Sequence, residues 1–571
     1  MSPYDQFKQD VIDVLWKFAK VDPVDSEKTL EKPPSGVDAD IAFPCFLIAR
    51  KQNKHPAQLA KEISKKLKPE GLIKDIKVSD AYINFYADWN KLSALILEEV
   101  LLSGDKYGCG AKKPQKVLVE HTSANPDGPL HIGHFRNSVI GDSLAKILSF
   151  YGYNVKTEFL VNDTGRQIGI AAMEYLKHDG KPDKKPDWWV LDLYVKGNRE
   201  IEKNPKLEEE VKELMRRFES GDKEVQEVYS FIVDNCLEGH KETLKRLGIK
   251  IDAFVKESKF LLSESVKRIL EEIKKRVDIG RVDGERVWVD LSQFGIKREF
   301  TLTRSDGTSI YPLRDLAYHA DKFSRADINI NVIGTDQKFY FKQLTSVLSL
   351  LYPEKTKNYT VVFYEFLLLP EGSMSTRKGK FISVDELLDR AESVAKKVVE
   401  EKMPQYSKAL KDKIAKIVSV GALKYAMIKV SPEKTYAFSV EDTLKFDGDT
   451  APYIQYTHAR ASSILRKSGV SFEKTPKIDG SLLTHEKERA IIRHIADFSN
   501  VVKTSAENYR PHYIANYIYK LASLFNDFYQ ELPVLKAEEK VKTARLVLVK
   551  AVQTVLKIGL NLLGIEAPEK M

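Results

Sequence analysis

The sequence predicts a three-part chain: an α+β N-terminal domain, an α/β parallel-sheet domain split by a mainly helical insertion, and an all-α C-terminal domain. Three observations carry this. At 571 residues the chain exceeds what one hydrophobic core supports and favours several domains. KVLVEHT (116–122) and NVKTEFLVND (154–163) are short β-rich runs on either side of the helical pattern RNSVIGDSLAKILSFYG (136–152). That order implies a parallel unit with its ligands at the strand ends. From about residue 400 onward the apolar spacing is helical almost without interruption.

The N-terminal domain is assigned to 1–112. Tyr4, Phe7, Val11, Leu15 and Phe18 recur at helical spacing, and VSDAYINFYAD (78–88) alternates as a strand pair or edge. The turn-rich KYGCGAKKP (106–114) closes it. The sheet domain is assigned to 113–400, with the insertion at about 176–290, entered through KPDKKPDWW (181–189) and continued as charged helix. DGERVWVDLS (283–292), ININVIGTD (328–336) and TVVFYEFLLL (360–369) are read as strands of the sheet's second half. Residues 401–445 form a helical connector and 446–571 the C-terminal helical domain. There Tyr513, Tyr517, Leu521, Leu524 and Phe528 repeat as core positions. The apolar run from Leu546 to Leu563 is broken by Lys550 and Lys557, so it reads as a buried amphipathic helix and not as a membrane span.

Composition narrows the function class. The chain has 91 Lys and Arg against 82 Asp and Glu, enough to build a basic face for a polyanion if the charges segregate. Cys45, Cys109 and Cys236 are far apart, which argues against a disulfide framework and against structural zinc and points to a reducing compartment. The acids in the first helical pattern exclude the uncharged core of a signal peptide, so a cytoplasmic protein is expected.

VLVEHTSANPDGPLHIGHFRN (117–137) runs an apolar strand through turn-forming residues into two histidines three apart. A helix N-terminus offers unpaired N–H groups and a partial positive charge, so this arrangement is a natural anion site. His131 and His134 are expected one turn apart on one helix face, with Gly133 leaving room for a flat base or a ribose. Such a pair can donate to phosphate oxygens and stabilise charge that develops when an α-phosphate is attacked. Taken alone, HxxH is more often a surface pair or a weak metal site, but no third zinc-type ligand follows at a usual spacing.

NPDGPLHIGHFRN (125–137) resembles the first signature of the class I aminoacyl-tRNA synthetases. PEGSMSTRKGKF (370–381) resembles the second, with Ser373 where the family carries a lysine and Lys378 placed just after the motif. VLVEHTSANPDGPLHIGH (117–134), FLVNDTGRQIG (159–169), SDGTSIYPLRDLAYHADKF (305–323) and LKFDGDTAPYIQYTHARASSIL (444–465) extend a resemblance to the arginyl-tRNA synthetases over essentially the whole chain.

The resemblance implies a Rossmann-type catalytic domain, an anticodon-binding C-terminal domain and an N-terminal domain that contacts the tRNA elbow. It implies a ligase joining L-arginine to tRNA(Arg) with ATP and Mg²⁺, without structural zinc, as a monomer that does not enter membranes. By the same resemblance His131, His134, Arg377 and Lys378 are catalytic, and Gly133, Met374 and Ser375 also touch ATP. Arginine is bound by Glu120, Asn125, Glu257, Tyr311, Asp315 and Gln337. Gln167 of VNDTGRQ lies close to the substrate and Met571 close to the RNA. The chemistry agrees, since a guanidinium that never loses its proton needs carboxylate acceptors. Two alternatives stay open at this point: a class I synthetase for another amino acid, and a non-catalytic tRNA-binding relative.

Overall fold

The computed structural model describes residues 2–33, 37, 39–178, 180–276, 278–368, 381–472 and 478–571. Strands β1 (Ile41–Pro44), β2 (Ile73–Ser79) and β3 (Tyr82–Ala87) form an antiparallel sheet in the order β1-β3-β2. The alternating run of the sequence is its β2–β3 hairpin, turning at Asp80 with φ of 49°. Ahead of this sheet in the chain stands the helix Pro3–Ala19, which buries Phe7, Val11 and Leu15 as their spacing requires.

Five parallel strands carry the centre of the molecule: β4 (Lys116–Glu120), β5 (Asn154–Val161), β6 (Ala253–Lys256) and, after an excursion, β10 (Ile328–Gly334) and β11 (Tyr359–Tyr364). Their order is β11-β10-β4-β5-β6. Successive strands run outward from β4 on one side and from β10 on the other, so the strand order reverses between these two neighbours. In doubly wound sheets the crevice beyond the carboxyl ends at that reversal is where ligands collect.

Two sequence expectations change here. The insertion does not extend unbroken to about 290, because β6 pairs with β5 from Glu158↔Ala253 to Val161↔Lys256 and returns the chain to the main sheet. DGERVWVDLS does not join that sheet either. It supplies β8 (Arg286–Val289) of a separate antiparallel sheet with β7 (Gly280–Asp283) and β9 (Phe300–Thr301). The physical reason is local: Gly284 and Glu285 make a tight hairpin turn, with Gly284 at φ of 56°, which pairs this run antiparallel with the strand just before it.

The rest is helical. Val384–Lys402 packs along Lys408–Ile428, and five further long helices end in Glu539–Leu562, whose apolar face is buried from Leu546 to Leu562. Tyr517, Leu521 and Phe528 are core, whereas Tyr513 is 36% exposed and Leu524 only half-buried. No helix of the described residues is long and apolar enough to cross a membrane.

Two buried cations join the parts. Arg136 on the helix Ile132–Phe150 donates to the carbonyl of Glu365 beyond β11 and to those of Met427, Ser431 and Lys434 at the end of Lys408–Ile428. Lys424 lies 3.4 Å from Asp142 and donates to the Gly564 carbonyl at 2.8 Å. The segment after the last helix is held the same way: Gln455, His458 and Arg466 donate to the carbonyls of Glu566, Pro568 and Glu569, each at 2.9 Å.

Gly141 shows how closely the helix Ile132–Phe150 lies on the sheet. A Cβ there would meet the His121 side chain at 2.2 Å. Alanine would favour the helix by about 1 kcal/mol, but overpacking a buried ring costs about 3 kcal/mol in tight sites. Gly141→Ala should therefore lower stability by about 2 kcal/mol in denaturant unfolding; an unchanged or raised midpoint would contradict this packing.

Candidate active site

All five parallel strands end on one side, and the candidate residues follow their ends. After β4 the chain enters the left-handed region twice without glycine, at Thr122 (φ 71°) and Ser123 (φ 37°). The Thr122 N–H donates to Asn137 Oδ1 at 2.6 Å, and Asn137 Nδ2 donates to the Val332 carbonyl of β10 at 2.8 Å. Strained backbone persists only where its surroundings determine it, and here the restraint ties β4, the following helix and β10 together at the reversal.

His131 does not lie on the helix but caps it. Its Nδ1 accepts from the Gly133 N–H at 3.1 Å, and its own N–H donates to His134 Nδ1 at 3.4 Å. The rings stack with centroids 3.7 Å apart and planes 18° apart. Burial pushes His131 down to about 4, and burial with the neighbouring His131 and His240 holds His134 well below the usual histidine range. Both rings are therefore neutral at pH 7, and since each Nδ1 is an acceptor, each Nε2 carries the proton. The pair presents two Nε2–H donors on stacked rings. The expected room at Gly133 is partly taken: a Cβ would lie 2.9 Å from the His131 ring and 3.3 Å from Phe366.

Above this motif the loop is clamped. The His240 ring, on the helix Lys223–Arg246, donates to the Gly128 carbonyl at 2.7 Å. The backbone also pairs with a distant segment: Val384 N–H donates to the Leu130 carbonyl at 2.8 Å, Ile132 N–H to the Ile382 carbonyl at 3.3 Å, and His131 bridges Ser383. The second-signature positions expected to carry chemistry, Met374, Ser375, Arg377 and Lys378, lie outside the described residues. Ile382–Val384, later in the chain, are hydrogen-bonded directly to the first signature.

A cluster of acids lies beside β4, β6 and β10. Glu120 is buried, its Oε2 accepting from Lys322 at 2.7 Å and Asn331 at 2.8 Å. Glu257, just past β6, is buried against Arg314 at 3.1 Å and accepts from the Thr164 hydroxyl at 3.0 Å. Burial raises its carboxyl, which Arg314 partly counters. Asp315, on the helix Tyr311–Arg325, accepts from the Tyr340 hydroxyl at 2.5 Å. Burial, with Glu257 and Glu120 nearby, raises Asp315 to about 7 even though Tyr340 and Lys322 oppose the shift. Tyr311 stands one turn before it and is 53% exposed.

The family model described as "tRNA synthetases class I (R), catalytic domain" matches residues 96–440. The chain belongs to the arginyl-tRNA synthetases of class I. "Arginyl tRNA synthetase N terminal domain" matches 5–87 and "DALR anticodon binding domain" matches 454–571. An arginine–tRNA ligase of Methanocaldococcus jannaschii is 42% identical over 537 residues, covering 92% of this chain and 93% of the relative. One from Methanosarcina mazei is 42% identical over 553 residues, covering 96% of each. Among solved structures, the Thermus thermophilus arginyl-tRNA synthetase superposes with a TM-score of 0.84 at 28% identity, over 99% of this chain and 100% of that one. Plasmodium falciparum arginyl-tRNA synthetase gives 0.81 at 20% identity, over 100% of each, which shows the shared fold. The activity is arginine–tRNA ligation by an ATP-using class I enzyme.

Within this arginyl-tRNA synthetase the remaining candidate residues are distributed as follows. Asn125 is exposed in the loop after β4, and Gln337 is exposed in the single turn after β10, donating to Asp336 at 2.9 Å. Gln167 is half-buried and converges with Asn162 on Gly165, where a Cβ would lie 3.0 and 3.1 Å from their side-chain oxygens. Met571 is half-buried against the helical core. Sequence reasoning missed Tyr340, Lys322, Asn331 and Arg314. Asn331 left a signal: an asparagine inside an otherwise apolar parallel strand needs a buried partner.

The Asp315 carboxylate opposes folding when no cation is bound beside it. An acid held at about 7 instead of its ordinary 3.8 binds its proton more tightly in the folded protein, so stability falls as pH rises from 3.8 to about 7 and is level above. At full strength the loss would be about 4 kcal/mol, and partial solvent contact reduces it to about 2 kcal/mol. Asp315→Asn should therefore stabilise the ligand-free protein at pH 8 and not at pH 4. Thermal unfolding at both pH values tests this, and a variant less stable at pH 8 would refute it.

Proposed function

We propose that the enzyme activates L-arginine with ATP to arginyl-adenylate and transfers it to the terminal adenosine of tRNA(Arg), releasing AMP and pyrophosphate. The arginine carboxylate is the nucleophile, and the protein contributes positioning and charge stabilisation. One observation carries the assignment: burial, with Glu257 and Glu120 beside it, raises Asp315 to about 7, which favours the entry of a cation. A guanidinium is that cation, with Tyr311, Asp315 and Glu257 receiving it. Asn125 and Gln337, beyond adjacent strands, hold the α-amino and carboxylate ends, and Glu120 orients the site through Lys322. Gln167 stands at the pocket's margin.

The Nε2–H groups of His131 and His134 suit the phosphates, Gly133 borders the ribose, and Met374, Ser375, Arg377 and Lys378 supply the remaining phosphate contacts. Magnesium enters with the nucleotide, whose phosphates provide its oxygens. On the RNA side, the exposed rings of Tyr456 and Tyr529 flank Arg460 at 4.9 and 5.2 Å, a platform suited to stacking unpaired bases, with Met571 as an apolar neighbour of the RNA. The three free cysteines support a reducing cytoplasmic compartment, and a monomer is the proposed working form.

Arginine binding should depend on pH with a defined sign. Above about 7 Asp315 is ionised and affinity is level; below it, the carboxyl must lose a proton to bind, so affinity falls about tenfold per pH unit. Asp315→Asn should raise the arginine KM about a hundredfold, as expected for about 3 kcal/mol, and leave the ATP KM near wild type. Unchanged arginine KM in that variant would reassign the pocket.

Loss of a donor aimed at transition-state charge costs about a hundredfold or more in rate. His134→Ala should lower arginine-dependent pyrophosphate exchange by that factor and leave tRNA affinity nearly unaltered. Wild-type exchange would remove His134 from the chemistry.

A further inference from the structure

Tyr340 is half-buried at the start of the helix Lys338–Leu351, three residues after Gln337 and so on the same side of that helical start. Its hydroxyl donates to Asp315 Oδ2 at 2.5 Å, a charge-assisted geometry. Its ring is fixed from two sides, by Phe300 of β9 with centroids 5.9 Å apart and by Tyr311 at 5.0 Å. An aspartate χ2 torsion is broad, so nothing in the Asp315 side chain alone fixes the plane of its carboxylate. Among the described residues, Oδ1 of Asp315 makes no hydrogen bond, so the Tyr340 hydroxyl is the contact that orients the group.

We propose that Tyr340 is a positioning residue for arginine: it locks the Asp315 carboxylate so that Oδ1 and the second lone pair of Oδ2 face the guanidinium. Planar, bidentate recognition demands a fixed acceptor plane, and a rigid tyrosine supplies it at small entropic cost. The same residue links the two ends of the substrate site, since the turn that begins with Gln337 delivers the hydroxyl to Asp315. The separate antiparallel sheet acquires a role through Phe300, which stacks on Tyr340 and holds it in reach. The inference rests on the reading that Asp315 binds the guanidinium.

The groups that face Asp315 set how its titration responds. Glu257 after β6 and Glu120 at the end of β4 raise it, and Lys322 on its own helix and the Tyr340 hydroxyl lower it, while Tyr311 stands exposed one turn away. Removing the hydroxyl takes away one of the two groups that favour ionisation. The midpoint of the arginine affinity profile should then move to higher pH, a response that loose packing alone would not give.

The test is Tyr340→Phe, which keeps the ring and its packing, compared with Asp315→Asn and the double variant. Tyr340→Phe should raise the arginine KM about tenfold, leave the ATP KM and thermal midpoint near wild type, and shift the pH midpoint upward. In the Asp315→Asn background the same change should add less than twofold, because Tyr340 acts through Asp315. An unchanged arginine KM and pH midpoint in Tyr340→Phe, or additive losses in the double variant, would overturn the inference while Asp315→Asn still showed its own loss. If Asp315→Asn itself leaves the arginine KM unchanged, the pocket assignment fails and this role falls with it.

Discussion

The Lys322 ammonium is fully buried between Glu120 and Asn331, and the seating of the helix Tyr311–Arg325 on the sheet depends on it. A buried ammonium without a partner costs several kcal/mol, so the helix has one favourable register: the one that places Lys322 against the carboxyl end of β4. Asp315 lies seven residues earlier, two turns along the same face, and is thereby set over the strand reversal. Glu120, Asn331 and Lys322 thus act as a gauge that converts sheet geometry into the location of the pocket. The partners come from β4 and β10, the two strands between which the order reverses, so the position of the pocket is tied to the topology and not to a loop.

Much of this was legible in the chain. The strand–helix–strand pattern at 116–161 gave two central strands and the helix Ile132–Phe150 between them, and the helical run after 400 matched its periodicity. What was not legible required distance. DGERVWVDLS has the alternation of a strand wherever it pairs, and only its hairpin partners show that it leaves the main sheet. Ala253–Lys256 is four residues long after about ninety of mostly helix, too short to stand out by period. The site divides the same way. His131 and His134 announce themselves by spacing, whereas their stacking and tautomers follow from a cap that only coordinates reveal. Tyr340 carries no local mark, because its partner is twenty-five residues away.

The first signature also meets a segment distant in sequence, Ile382–Val384. Leu130–Ile132 and Ile382–Val384 share backbone hydrogen bonds, so any strain transmitted along the helix Val384–Lys402 reaches His131 through three residues. The insertion joins the same point. Lys185 meets Asp385 at 2.7 Å and Thr243 at 2.6 Å, and His240 holds Gly128 from above. The loop and cap that carry His131 and His134 are therefore fixed by a segment on each side, one from the helical insertion and one from Ile382–Val384.

The carbonyls of 564–569 are gripped by Lys424, Gln455, His458 and Arg466, residues that precede them by 103 to 140 positions. During synthesis those four side chains emerge well before their acceptors exist. Until residue 564 has been made, a lysine destined for full burial beside Asp142 has no carbonyl there to receive it. Docking of 564–569 and closure of the joint between the helices Ile132–Phe150 and Lys408–Ile428 are in this way coupled through Lys424.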